Sequence, residues 1–189
     1  SPSFSLNYVI EIGEYNTNWI KPALKQLTLL GTDKYSSDEL LNQLSSYGLS
    51  LTTEVYPRYS VIKLSGAEKN AEKGIQLLEH ILLNLKPDNQ VFDEMVNNIA
   101  DEHQKNMFDP KYIVATAFPE YARYGKDAPF RNGLSSEQMR EIGSVGLVDF
   151  IKELTSYPHR VFYYGQSSYR SSLKIVTKYH KLPKNTLPP

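Results

Sequence analysis

Phe4, Leu6, Tyr8, Ile10 and Ile12 alternate with Ser5, Asn7, Val9 and Glu11 near the start of the chain. Alternation of this length describes a strand with one face buried and the other open. Such a strand needs a sheet beside it and a layer over its apolar face, and the remaining sequence supplies both. Two further runs of strand character, about Leu49–Tyr56 and Tyr59–Ser65, are separated only by Pro57 and Arg58, which makes them a hairpin. A fourth run, about His159–Gly165, contains Val161, Phe162 and Tyr163 and is expected to be a short buried strand. Strands at the beginning, middle and end, with helical sequence bunched between them, define an α+β chain. The expected architecture is a two-layer sandwich with helices packed on one face of a mixed, mostly antiparallel β-sheet.

The helices announce themselves by caps and periodicity. Trp19 to Leu30 has helical composition, and Pro22 is compatible with it only in the first turn, where its missing N–H is not needed. Ser36-Ser37-Asp38-Glu39 predicts a capping box, opening a helix that carries Leu40, Leu41 and Leu44 and stops at Gly48. Ala71, Ile75, Leu78, Leu82 and Leu85 recur at helical spacing before Pro87. Asp88 should cap the next helix, which reaches about Phe108 with Phe92, Met95, Val96 and Ile99 inward. Lys111 to Tyr124 reads as helix with a kink or interruption at Pro119. Lys126 to Leu134 is a loop containing Pro129 and Gly133, Ser135 to Gln138 predicts a second capping box, and Leu147 to Leu154 another helix. Ser167 is expected to cap a last helix through Tyr179. Residues 1–181 then form one domain with its first strand trimmed, and 182–189, with three prolines, a linker to a following domain.

Composition removes several classes of function. Lysine plus arginine and aspartate plus glutamate each number 21, so no polybasic surface is available for nucleic acid or anionic lipid. No apolar run approaches the length of a membrane span. The absence of cysteine excludes disulfides and thiol catalysis without fixing a compartment. Ser1-Pro2-Ser3-Phe4 lacks a methionine and a basic leader, so the chain is expected to begin inside a fold as a piece of a longer polypeptide. A soluble protein is expected, periplasmic or cytoplasmic if bacterial.

Catalytic constellations are hard to find. The histidines are His80, His103, His159 and His180, and no two are four apart, the spacing that sets a pair of imidazoles on one helix face. No Gly-x-Ser-x-Gly elbow or phosphate loop occurs, and Gly143 to Gly146 is too short and lacks the following lysine. Gln76-Leu77-Leu78-Glu79-His80 imitates the spacing of a zincin helix, with Glu102 downstream. One imidazole beside an amide is a poor zinc site, however, and Glu79-His80 is expected to be solvated helix surface. An independent hydrolase using Glu79, His80 and Glu102 is the weakest reading. The fourteen tyrosines could form a peptide or carbohydrate platform, with Tyr163-Tyr164 beside Arg160 the cluster to watch, but half-buried packing accounts for most of them. Asp101-Glu102-His103 are consecutive on a helix, diverge from one another and read as solvated.

Leu29-Leu30-Gly31-Thr32-Asp33-Lys34-Tyr35-Ser36 resembles the pitrilysin/insulinase family of zinc metallopeptidases, in which a zinc-binding helix runs into a Leu-Gly-Thr-x-x-Tyr loop. Other segments agree in order: Leu64-Ser65-Gly66, the helix around Leu77-Leu78-Glu79, Asp101-Glu102, Tyr121–Gly125 with Pro129-Phe130, and Leu154–Tyr157 leading into Arg160–Gly165. The likeness spans nearly the whole chain and is nearest to the third of the four homologous domains of the long members.

In the family's active domain a His-x-x-Glu-His helix precedes the Gly-Thr loop. Matching on Gly31-Thr32 sets Pro22 at the first histidine, Lys25 at the catalytic glutamate and Gln26 at the second histidine. Proline cannot bind metal, and Lys25 puts a positive charge where a general base belongs. The third ligand, a glutamate of a later helix, falls at or beside Asp101-Glu102, so Glu102 is a vestigial candidate alone. The resemblance therefore implies a structural and substrate-chamber domain that is not itself an enzyme and has no catalytic residue, metal site or cofactor of its own. Its parent would be a zinc metalloendopeptidase with zinc in another domain. Its partners would be the other domains of the same polypeptide and the parent's peptide substrate, with no nucleic acid and no membrane span. The alternative is a scaffold domain of a wholly non-proteolytic relative, similar to the core subunits of respiratory complexes.

Overall fold

The computed structural model describes residues 2–128, 131, 133–183 and 186–189. Pro129 and Phe130 of the expected loop, and residues 184–185 of the proline-containing tail, lie outside the described residues. The chain divides into two compact units, one comprising Ser1–Pro87 with Leu147–Pro189, the other Asp88–Gly146.

The larger unit is built on a four-stranded sheet of β1 (Ser3–Ile10), β2 (Leu49–Val55), β3 (Ser60–Ala67) and β4 (His159–Tyr164), in the order β2-β3-β1-β4. The α+β class expected from the sequence holds. All three pairings are antiparallel, so among the described residues the sheet has no parallel pair. The opening alternation maps directly onto β1: Phe4, Leu6, Tyr8 and Ile10 are buried, while Ser5, Asn7 and Val9 are half-buried on the other face. Register aligns Leu6 with Leu64 and Tyr163, and Tyr8 with Ile62 and Val161, so one face is a continuous apolar layer. Each large side chain fully removed from water there contributes about 1.5–3 kcal/mol.

Helices α1 (Ile20–Leu27), α2 (Ser37–Ser46), α3 (Ala71–Asn84) and α8 (Tyr169–Tyr179) belong to this unit. α1 and α2 lie against β2, and α3 against β3 and α8. Ala71, Ile75, Leu78, Leu82 and Leu85, the expected helical stripe, are all buried. The predicted capping box at the start of α2 is present, with Glu39 N–H donating to Ser36 Oγ and Ser36 N–H to Glu39 Oε2. Leu40 is buried but Leu41 is exposed. α2 ends before Gly48, whose φ of +60° is a left-handed turn that costs glycine little. The hairpin turn closes through Tyr56 N–H on Tyr59 O, as the Pro57-Arg58 spacing requires.

The smaller unit is helical among its described residues. α4 (Asn89–Phe108) is capped by the Asp88 carboxylate, which accepts from Gln90 N–H at 2.9 Å and Val91 N–H at 3.1 Å. α5 (Pro110–Tyr112) leads through a π-helical turn at Ile113–Ala117 into α6 (Phe118–Tyr124). That turn lies directly upstream of Pro119, which has no N–H to return to the preceding turn, so the interruption has the expected cause. The second capping box also forms, with Ser135 N–H on Gln138 Oε1 and Gln138 N–H on Ser135 Oγ, and opens α7 (Ser136–Glu153), whose residues from Leu147 on belong to the larger unit. α7 is broken at Gly143, so its last part coincides with the helix expected from Leu147.

Two local expectations fail. β4 is not buried: Phe162 is 53% and Tyr164 80% exposed, because an edge strand over a one-sided core keeps only alternate residues inside. The cap of α8 is Ser168, which accepts from Ser171 N–H. Ser167 instead donates its hydroxyl and N–H to Glu68, tying the end of β4 to the turn before α3.

Candidate functional site

The segment that carries the resemblance is a tightly tied loop between α1 and α2. Gly31 O accepts from Lys86 N–H at 3.0 Å, and Asp33 N–H donates to Asn84 O at 3.1 Å, which fastens the loop to the end of α3. A Cβ at Gly31 would lie 2.7 Å from Tyr35 O, so the turn closes only around a residue without one. Thr32 accepts from Tyr35 N–H at 3.2 Å and faces His80 Nε2 at 3.0 Å. His80 is further held by Asn84 Nδ2 at 3.2 Å and packs edge-on against Tyr35.

Pro22 is the third residue of α1, inside its first turn as expected. It is buried together with Gln26, four residues on and on the same face, while Lys25 is half-buried. Gln26 has no exposure at all. Glu102 is an exposed residue of α4 and belongs to the smaller unit, whereas Pro22, Lys25 and Gln26 belong to the larger. Asp101 and His103 beside it are also exposed, and Asp101 lines an open groove with Gln104, Lys105, Phe108 and Asp109. Among the described residues no group of three or more histidines, aspartates, glutamates or cysteines is placed to hold a metal ion.

Glu79 and His80 need correction. They are not a solvated surface pair: Glu79 is 7% exposed and His80 half-buried. They also part company, His80 turning to the Gly-Thr loop and Glu79 to the core. There the Tyr8 hydroxyl donates to Glu79 Oε1 at 2.5 Å, and His180 Nδ1 meets the same oxygen at 2.9 Å. Burial, reinforced by the Glu79 charge, pushes the Tyr8 phenol far above its ordinary range, so it remains a donor. The signal was in the sequence. Position 79 follows Ile75 by four and precedes Leu82 by three, which puts it on the apolar stripe, and Tyr8 on the buried face of β1 needs a partner for its hydroxyl.

The tyrosine cluster also resolves. Tyr163 turns inward and donates to Glu68 at 2.8 Å, while Tyr164 stands out on the other face. Arg160 reaches Glu11 at 3.3 Å. On the open side of the sheet, Asn7 aligns with Lys63 and Phe162, and Ser5 with Ser65 and Tyr164. The result is a broad polar face with two protruding rings. No helix among the described residues is long and apolar enough to cross a membrane.

No family model matches the sequence, and no curated protein matches it. Solved structures do. The inactive peptidase M16 domain from Pseudomonas fluorescens is similar at a TM-score of 0.78 and 14% identity, over 98% of this chain and 47% of that one. The periplasmic protease PqqL from Escherichia coli aligns at 0.73 and 15%, over 99% of this chain and 21% of the other. The ferredoxin protease FusC, solved in complex with Arabidopsis ferredoxin, aligns at 0.77 and 15%, over 98% and 21%. This chain thus spans between about a fifth and about half of those proteins. At such identities the likeness is one of architecture, and it leads to a single conclusion: the chain has the fold of the pitrilysin-like, M16 peptidase domains.

Proposed function

We propose that this chain is a non-catalytic domain of a larger zinc metallopeptidase of the pitrilysin/insulinase type, forming part of the wall of the parent's substrate chamber. The observation that carries this reading is the buried pair Pro22 and Gln26 on one face of α1, directly before the Gly-Thr loop. Zinc takes imidazole, thiolate or carboxylate donors, and neither side chain offers one. Lys25, between them, carries a charge that opposes both a metal and a general base. The residues present do not fit a zinc ion, so no hydrolytic step is assigned to this chain, and zinc is expected in another domain of the parent.

The fractions of length support the same reading. Matching about a fifth of two proteases and about half of a domain described as inactive suits one unit among several similar ones. The open sheet face, where polar side chains are interleaved with half-buried Val9 and Val61 and the exposed rings of Phe162 and Tyr164, suits a wall that touches peptide without gripping it. The parent's substrate is expected to be a peptide or small protein, as the ferredoxin held by one similar protease illustrates.

The test is to restore the motif. Pro22→His, Lys25→Glu and Gln26→His made together supply the donor types of a catalytic zinc site. Ligands must nonetheless be held by partners that orient them, and peptide must be positioned against the chemistry. The triple variant is expected to cleave an unstructured peptide no faster than buffer containing free zinc. A chelator-sensitive rate well above that background contradicts the reading.

A further inference from the structure

A continuous relay runs through the core of the larger unit. From Tyr8 on β1 it passes to Glu79 on α3 and on to His180, the C-cap of α8. His180 Nε2 then meets His159 Nε2 at 2.8 Å, and His159 Nδ1 meets Tyr157 O at 2.8 Å. His180 is 6% exposed, and its side chain and that of Glu79 are almost wholly inside.

The chemistry of the partners fixes how many protons the relay holds. A backbone carbonyl only accepts, so His159 Nδ1 carries a hydrogen. The contact between the two Nε2 atoms is a hydrogen bond only if one nitrogen carries a hydrogen and the other a lone pair. The contact between His180 and Glu79 likewise needs one hydrogen. Those three hydrogens leave the two rings and the carboxylate neutral as a set, either as one imidazolium against ionised Glu79 or as two neutral rings beside a protonated carboxyl. A further proton sets N–H against N–H at the ring–ring contact. A missing one leaves two lone pairs, or a lone pair and a carboxylate, face to face. Either change turns a short attraction into a repulsion at a contact between buried His180 and half-buried His159, where water is only partly available to screen it.

Among the described residues, the charged groups Glu72, Glu11 and Lys181 on neighbouring elements are engaged elsewhere. Tyr8 is held as a donor, as described above. Glu72, on the same helix as Glu79, is engaged by Lys178 at 2.8 Å and by Tyr179 at 3.0 Å. Glu11 next to β1 is engaged by Arg160 of β4, and Lys181 reaches Thr177 O. The ring pair also sits at a seam, since His159 opens β4, His180 closes α8, and Leu187 N–H reaches back to Ser156 O at 2.8 Å.

We infer that the contact between His159 and His180 is a one-proton clamp that holds the C-terminal end of α8 onto the sheet at neutral pH and releases it on acidification. The same count makes the clamp weaken again at alkaline pH, when its shared proton is lost. The helix and the segment after it are then the part of this unit whose docking responds to pH.

Amide hydrogen exchange on the full 189-residue chain, corrected for intrinsic rates, tests the clamp at Tyr169–Tyr179. Opening of α8 is expected to rise, by up to about tenfold per pH unit, on acidification from neutral pH, while the amides of β1 and β3 do not follow. His159→Gln places a non-titrating amide there that can accept or donate by flipping, and it should flatten the profile. A wild-type α8 whose opening is independent of pH overturns the inference, as does an H159Q profile identical to that of the wild type. If H159Q does not fold, imidazole nitrogen shifts of the wild type decide. One hydrogen on the ring–ring contact at neutral pH is expected, and two or none with α8 still docked overturns the clamp.

Discussion

Tyr8 on β1, one of the two inner strands, donates its hydroxyl hydrogen to Glu79 on α3 at 2.5 Å, which joins the sheet to its helical layer through a polar bond inside an apolar core. Both groups are buried, so each depends on the other for satisfaction. Tyr8→Phe should cost about 1–3 kcal/mol in urea unfolding, the range for leaving a buried polar group without a hydrogen-bond partner. Glu79→Leu should cost more than Tyr8→Phe, because it strands both the Tyr8 hydroxyl and His180. Equal stability of the wild type and Glu79→Leu would show the bond to be dispensable.

A second prediction concerns Glu68 and Tyr163. Burial pushes the Glu68 carboxyl up, but hydrogen bonds from Ser167 and Tyr163 outweigh it and hold the group below the ordinary carboxylate range. Burial first, and then the bond to Glu68, pushes the Tyr163 phenol up to about 12. Glu68 therefore adds stability above the unfolded carboxylate pKa, which is lost as pH falls through its lower folded value. Tyr163 adds stability below the unfolded phenol pKa of about 10, which is lost as pH rises from there through about 12. Tyr163→Phe should shrink the alkaline loss between about pH 10 and 12 while leaving the part that comes from Tyr8 at higher pH, as followed by denaturant midpoints across pH. An unchanged alkaline limb in that variant would refute the assignment.

The Gly-Thr loop offers a third test. Gly31→Ala forces a methyl group against Tyr35 O and the Ser36 backbone, at a cost of about 1–3 kcal/mol. Ser36→Ala removes the acceptor of the capping box at about 1 kcal/mol. The order of the two midpoints in thermal unfolding is the check, with Gly31→Ala expected lower.

Much of this was legible in the sequence. The strand period read the buried face of β1 residue by residue, and Ser36, Asp88 and Ser135 marked three helix starts because caps are local chemistry that needs no tertiary context. The cap of α8 was misplaced by one residue because Ser167 and Ser168 are equivalent locally and only Glu68, 99 positions away from Ser167, distinguishes them. The relay around Glu79 was hidden for a similar reason. His180 and His159 are 101 and 80 positions from Glu79, and a carboxylate on a helix is normally surface. Phe162 looked buried because three aromatic or aliphatic residues run together, and only the one-sided sheet shows which of them faces water.

The central claim is that this domain holds no catalytic metal. Its most direct test is the zinc content of the purified chain after equilibrium dialysis against micromolar zinc, measured by elemental analysis. With Pro22, Lys25 and Gln26 on the helix before the Gly-Thr loop, far less than one equivalent should remain. Retention of one equivalent of zinc, lost together with any cleavage of an unstructured peptide when a chelator is added, would contradict the account.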